Sequence, residues 1–373
     1  MTAYVWGVGT SMFGKQPATS MAELVWQAVR EALTDAGGGD VEAVYFGTCF
    51  GEPGAAQRSL HQLGLVSLPI SVHENACASS THAFYEACRA VQEGRYARVL
   101  VVGAEHLTSR FSGAIPVEVR DREGAAGLAL PALYAMSAAR YMAAHGLTER
   151  ELAAVSVKNH RHGMLNPRAQ HRVAVTEEEV LASRMIADPL TLLQCCAIAD
   201  GAAACVVGTG RQDARDVAVR AAAFGTGGLW DHDSPHVWGY QLVCDVARKA
   251  YEQAGLGVED VGVLEVHDAF TIGEIVTLEA LGLAAEGAGG RLASSGRTAL
   301  GGRQPVNPSG GLLSRGHPLG ATGCAQIAEI VGQLRGEAGS RQVPDARIGL
   351  VETMGGGVAG LDGNACVVAV LER

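Results

Sequence analysis

Apolar and polar positions along the chain follow an order that occurs twice. The segment Ala22–Thr48 has the period of an amphipathic helix, then a loop around Ala36-Gly37-Gly38, then the strand Val41–Gly47. Leu242–Asp268 repeats this as a helix, a loop at Ala254-Gly255-Leu256-Gly257 and the strand Val261–His267. Asp-Val precedes both strands. In Asn75–Arg95 a turn-like start leads into Phe84, Ala87, Cys88 and Val91 at helical spacing, followed by the strand Val99–Gly103. Its later counterpart is Gly316–Gly320, a helix with Ile327, Ile330, Val331 and Leu334 on one face, and the strand Ile348–Val351. A third match pairs Asp200–Val207 with Asp362–Val368, each a turn into a buried strand. Three matches in the same order point to a duplication.

Strand–helix alternation in both copies predicts an α/β chain in which each half forms a helix-covered sheet. The halves are read as 1–210 and 211–373. The first is longer because of an insertion at about 105–195, with helices predicted from Tyr134 to His145 and from Glu149 to His160. Long inserts of this kind cover sites.

Composition narrows the function classes. The chain has 373 residues, 48% hydrophobic and 18% charged, which is a globular profile with enough length for a large core. A net charge of −10 argues against a nucleic-acid partner, because phosphate neutralisation needs surplus Lys and Arg. No apolar run reaches the length of a membrane span. The N-terminus lacks a basic region followed by a hydrophobic one, and Val370-Leu371-Glu372-Arg373 is no peroxisomal address. A bacterial or archaeal cytoplasmic protein is expected. Against the acidic average, Lys158, Arg161, Arg168 and Arg172 share a stretch with three histidines and no acid. That stretch is either an anion site or a solvated face. The nine cysteines form no C-x-x-C pair or zinc-type spacing, so no metal is expected and most are small core residues.

Duplication places Cys77 and His317 at equivalent helix starts. A helix N-terminus lowers a thiol pKa, and a nearby imidazole takes the thiol proton, so the pair makes a candidate activated nucleophile. The small flanks Ala76, Ala78, Ser79 and Ser80 leave room for a ligand. His317 has a competing role as a capping or core histidine, but it lies in the Gly-dense run Asn307–Gly323, which suggests close backbone approach. His267-Asp268 ends a predicted strand with a polar pair, where α/β sites gather. Gly355-Gly356-Gly357 follows another, with bare amides able to hold an oxyanion.

Together these segments resemble the thiolase superfamily, in its sterol-carrier-type and archaeal branch, over essentially the whole chain. The resemblance rests on Gly7–Gly14, Asn75–Ser79, Ser183–Leu190, Asp200–Ala204, His267–Phe270, the run through Gly316-His317-Pro318 and the triple glycine. It implies a five-layer αβαβα sandwich of two duplicated halves with an inserted loop domain, a homodimer or dimer of dimers, and ping-pong transfer of acyl groups from coenzyme A. Coenzyme A is then substrate and product, with no tightly bound cofactor. By the resemblance, Cys77 becomes acylated, and His317 takes its proton and with His267 forms one oxyanion hole. The amides of Cys77 and Gly355 form the other. Coenzyme A phosphates are assigned to Lys158, Arg161, Arg168 and Arg172.

Two departures bear on the carbon–carbon step. Classical thiolases have an acid/base cysteine where this chain has Thr353, and sterol-carrier-type relatives place one where it has Ala269. Glu352, His82 or a partner-supplied group could substitute for the missing cysteine. The expectation is therefore an acyltransferase forming or cleaving a β-ketoacyl-CoA. The alternatives are a thiolase-like subunit with a small OB-fold/zinc-ribbon partner, acting as acyltransferase or retro-aldolase, and a catalytically silent scaffold.

Overall fold

The computed structural model of the chain describes residues 1–231 and 233–373. Nine strands build its main sheet: β1 (Ala3–Thr10), β2 (Ala43–Gly47), β3 (Ile70–His73), β4 (Arg98–His106), β5 (Asp200–Thr209), β6 (Val217–Gly225), β7 (Val263–Glu265), β8 (Ile348–Gly355) and β9 (Ala365–Glu372). The main helices are α1 (Met21–Asp35), α2 (Ser79–Gln92), α3 (Leu130–His145), α4 (Glu149–Met164), α5 (Tyr240–Ala254) and α6 (Thr322–Arg335). The two predicted insertion helices are α3 and α4, and a short hairpin of Met185–Ala187 and Leu190–Thr191 lies beside them.

The strand order is β3-β2-β4-β5-β1-β6-β9-β8-β7. Read outward from the middle, the second half repeats the first: β6 matches β1, β9 matches β5, β8 matches β4 and β7 matches β2. The two halves do not form separate sheets. Tyr4 and Val5 of β1 pair with Ala218 and Val217 of β6, so one continuous sheet runs through the molecule. Strand β7 is shorter than its apolar run predicts. Beyond Glu265 the amide of Val266 donates to Asn307 Oδ1 and that of His267 to Glu352 Oε2, so side chains take the place of a neighbouring strand.

Three apolar clusters separate five layers. In the first, α1 lies on the outer face of the N-terminal strands, with Leu24, Val25, Ala28 and Val29 against Val44, Leu100 and Val206. In the second, α5 covers the C-terminal strands. In the third, α2 and α6 fill the middle, where Phe84, Ala87, Cys88 and Val91 meet Ile327, Ile330, Val331 and Leu334 together with residues of both sheet halves. Each large side chain buried there contributes about 1.5–3 kcal/mol. A helix between two sheet layers has no solvent face, so the polar residues of α6 need partners. Gln326 donates to Glu352 O at 3.1 Å, Arg341 binds Glu329 at 2.9 Å, and Arg335 donates to Asp35 and Trp6 O. Among the described residues no helix is long and apolar enough to cross a membrane.

Candidate active site

Both central helices begin at the same end of the sheet, and their leading loops meet. The loop from β3 to α2 carries Cys77. Ala76 takes a left-handed φ of 50°. Its amide donates to Glu74 Oε1 at 2.8 Å, and Ser79 Oγ ties the turn by donating to Ala76 O at 2.6 Å and accepting from Asn75 N at 3.0 Å. The end of β8 presses on this turn. A Cβ at Gly355 would lie 2.1 Å from Asn75 O, so only glycine fits there.

On the other side, His317 follows Gly316, whose φ of 107° is open to glycine alone. His317 Nε2 lies 3.2 Å from Cys77 Sγ, and Nδ1 lies 2.8 Å from Thr322 Oγ1. The Thr322 hydroxyl donates its one proton to Pro318 O at 3.1 Å, so its oxygen accepts from Nδ1–H. That fixes the tautomer and leaves the Nε2 lone pair facing the thiol. The sequence predicts a thiol of lowered pKa at this helix start. Instead, burial pushes Cys77 up to about 12, outweighing its own backbone amide, and pushes His317 well below the imidazole range. The resting pair is a neutral thiol and a neutral imidazole.

His267 completes the cluster. Its ring centre is 5.3 Å from that of His317, at 73°, and Cys77, His267 and His317 bring ligating atoms within 4.8 Å of one another. His267 Nε2 is buried with no hydrogen-bond partner, an unusual cost unless a ligand atom belongs there. Burial lowers its pKa to about 3. The adjacent Asp268 accepts from Leu312 N at 2.7 Å and Asn159 Nδ2 at 2.7 Å, which anchors the Gly-dense run. A Cβ at Gly311 would lie 2.2 Å from Asp268 Oδ2.

Glu105, read from the sequence only as the start of the insertion, ties the His317 loop to the loop that follows β2. Its carboxyl accepts from Cys49 N at 2.9 Å, Phe50 N at 3.0 Å and Gly320 N at 3.0 Å. Burial raises its pKa to about 7 despite those donors. A charged residue closing the apolar run Val99–Ala104 was the signal available in the sequence.

Cys77 lies in a cleft of about 1520 Å³, lined also by Cys49, Phe50, Glu74, Leu319 and Trp238 and, among basic residues, by Arg58, Arg110 and Arg120. None of the four basic residues assigned to phosphates lines it. Lys158 is buried, with Nζ 2.9 Å from Glu274 Oε1 and 2.9 Å from Val306 O. Arg168 is held by Glu31 at 2.7 Å and Thr10 Oγ1 at 2.7 Å. Arg161 and Arg172 are exposed elsewhere. Acids distant in sequence neutralise the stretch, which its local composition did not reveal. Thr353, where classical relatives have a thiol, is buried with its hydroxyl donated to Gln326 Oε1 at 2.5 Å.

Residues 4–210 match the model of the thiolase N-terminal domain and 217–371 that of the thiolase C-terminal domain-like family. The chain is 40% identical to an acetyl-CoA acetyltransferase of Methanothermobacter thermautotrophicus, over 94% of this chain and 95% of that one. It is 36% identical to the benzoylsuccinyl-CoA thiolase subunit BbsB of Thauera aromatica, covering 95% and 94%. Among solved structures it resembles the Ltp2-ChsH2(DUF35) aldolase with a TM-score of 0.85 and 27% identity, over 100% of this chain and 98% of that one.

Proposed function

The chain belongs to the thiolase family, and on that premise we propose that it is an acyl-CoA C-acyltransferase, forming or cleaving a β-ketoacyl-CoA through an acyl-enzyme on Cys77. The observation that carries the reading is the 3.2 Å contact between Cys77 Sγ and a His317 Nε2 whose tautomer Thr322 sets. A buried thiol with a pKa of about 12 is inert until a base takes its proton as the carbonyl is attacked. His317 is placed to do that. The negative charge then forming on the carbonyl oxygen needs donors, and His267 Nε2 is a buried nitrogen without one partner to lose. The amides of Cys77 and Gly355 are assigned to a second oxyanion.

Coenzyme A enters as substrate by the cleft, and Arg58, Arg110 and Arg120 replace the Lys158 stretch as the groups assigned to its phosphates. A homodimer is supported by β3. It is an edge strand with Val72 53% exposed, whereas the opposite edge β7 is covered through the Leu264–Val306 bridge. The work of such an enzyme is assigned to the cytoplasm, with no nucleic-acid or membrane partner.

A second reading keeps the same nucleophile but adds a small OB-fold/zinc-ribbon partner, acting as acyltransferase or retro-aldolase. It is supported by the engagement of Thr353 with Gln326 and by the likeness to an aldolase solved with a DUF35 protein. Mass spectrometry after mixing with acetyl-CoA or propionyl-CoA tests the main reading. An acyl adduct is expected on Cys77 and none on Cys77→Ala. Thiolysis that survives alkylation of Cys77 overturns it.

A further inference from the structure

Carbon–carbon bond formation needs a group that removes a proton from the α-carbon of the second thioester, and neither Thr353 nor Ala269 supplies one. The position of that group is constrained. The α-carbon is one bond from the carbonyl carbon, and the carbonyl oxygen belongs with the imidazoles of His267 and His317. The missing acid/base must therefore stand beside the segment that carries His267.

A short extended strip of the insertion runs there. Cys195 forms an antiparallel bridge with Phe270, Cys196 N donates to Ala269 O at 2.8 Å, and Ile198 forms a parallel bridge with His317. Residues 195–198 thus cross from the His267 segment to the His317 loop, and Ile198 packs with Cys77 and Leu319. Cys195 is extended, at φ −120° and ψ 135°, and its Sγ turns away to Thr191 O at 3.3 Å. Successive side chains of an extended strip point to opposite faces, which turns Cys196 the other way. Its thiol is within electrostatic reach of both Cys77 and Asp268, and the Tyr134 hydroxyl is within reach of Cys77, Cys196 and Glu352. Ala269, with only a methyl group, carries no ionisable atom there.

We propose that Cys196 is the acid and base at the substrate α-carbon, supplying from the insertion the thiol that neither Thr353 nor Ala269 provides. This assignment rests on the acyl-enzyme reading above. In acylation His317 takes the Cys77 proton, Cys77 Sγ bonds to the acyl carbon, and the carbon–sulfur bond to coenzyme A breaks. Cys196 gives its proton to the departing coenzyme A thiolate. The Cys196 thiolate then takes an α-proton from the second thioester. The resulting carbanion bonds to the acyl carbon, the bond to Cys77 breaks, and Cys77 recovers its proton from His317. Both thiols and the imidazole end as they began.

Cys49 is the competing thiol. It too feels Cys77, but it is held in the N-terminal half through its amide to Glu105, with its thiol beside Glu74. The test uses the full chain with acetyl-CoA and propionyl-CoA deuterated at the α-carbon, reading the Cys77 adduct and loss of deuterium to water in the same samples. Cys196→Ala and Cys196→Ser are expected still to form the adduct, which also reports that they are folded, but more slowly because water must then protonate the departing coenzyme A thiolate, and to slow deuterium loss by ~10²–10⁴-fold. Cys195→Ala is expected to change neither. Deuterium loss at the wild-type rate in Cys196→Ala overturns the assignment. So does loss of exchange in a Cys49→Ala variant that keeps its adduct, or complete absence of the adduct at equilibrium in both Cys196 variants. Wild-type protein that forms the adduct without exchanging deuterium overturns this assignment and leaves the acyl-enzyme standing. Wild-type protein with no adduct overturns both.

Discussion

The Cys77 and His317 loops hold matching places in the two halves, each leading into a central helix, yet they are built in opposite ways. Each has a residue of positive φ immediately before the functional one: Ala76 at 50° and Gly316 at 107°. Ala76 carries a side chain in a region that disfavours one by about 1–2 kcal/mol, and Glu74 and Ser79 hold it there by hydrogen bonds. Gly316 has no such strain. It is held by packing, since a Cβ there would lie 2.8 Å from Gln170 Oε1 and 3.2 Å from Ala199 Cβ. The nucleophile thus sits on a tensioned turn fixed by polar side chains, and the base on a relaxed turn whose orientation depends on one hydroxyl. One duplicated scaffold yields an attacking group and a proton acceptor because different residues surround the same turn.

Removing the base tests this asymmetry most severely. His317→Ala is expected to slow Cys77 acylation by ~10²–10⁴-fold while leaving the thiol present, measured by stopped-time mass spectrometry. Next come the two turns. Gly316→Ala is expected to cost about 2 kcal/mol or more in thermal unfolding, whereas Ala76→Gly should stay within about 1 kcal/mol of wild type because relief of strain offsets a looser unfolded chain. Equal losses at the two positions would erase the distinction between them. Thr322→Val keeps the shape but deprives His317 Nδ1–H of its acceptor. Acylation should fall by about tenfold, with melting temperature little changed. A fall as large as that of His317→Ala would mean that the hydroxyl does more than orient the ring.

The smallest expected effect concerns the two buried carboxyls that anchor the site, Glu105 in the first half and Glu352 in the second. Burial raises each to about 7 from an ordinary value of 4.5. The folded protein therefore keeps these protons to higher pH than the unfolded chain, and stability falls as pH rises from about 4.5 to about 7. Glu352→Gln keeps an acceptor for His267 N and removes one of the charging steps, to which the buried Asp268 also contributes. The decline in melting temperature between pH 5 and 7 should become shallower. An unchanged slope would mean that Glu352 is ionised throughout that range.

What the sequence made legible follows the same line. The duplicated apolar pattern anticipated the paired strands and the buried faces of α2 and α6, because burial acts through local periodicity. Cys77, His317 and His267 were legible as motif residues, and the structure draws them into one cluster. Contacts between distant segments were not. Lys158 belonged to a basic stretch until Glu274 neutralised it, and Glu105 became an anchor only when the backbones of Cys49, Phe50 and Gly320 converged on it. The thiol pKa was misjudged because helix position is read from sequence, whereas burial at 4% exposure is not.

The seam between β1 and β6 has a consequence for the chain while it is being made. Residues 3–10 emerge long before their partners: Ala3 and Thr10 pair with Thr209 and Ala203, and Tyr4 and Val5 with Ala218 and Val217. The first strand must wait for some two hundred residues before it has neighbours on either side. His317 comes 240 residues after Cys77, roughly ten to fifty seconds later at ordinary rates of synthesis. Until then the thiol lacks the imidazole that serves it as base. An unfinished chain on the ribosome therefore lacks enzymatic acyl transfer, and competence arrives only when the segment around His317 closes over the one around Cys77.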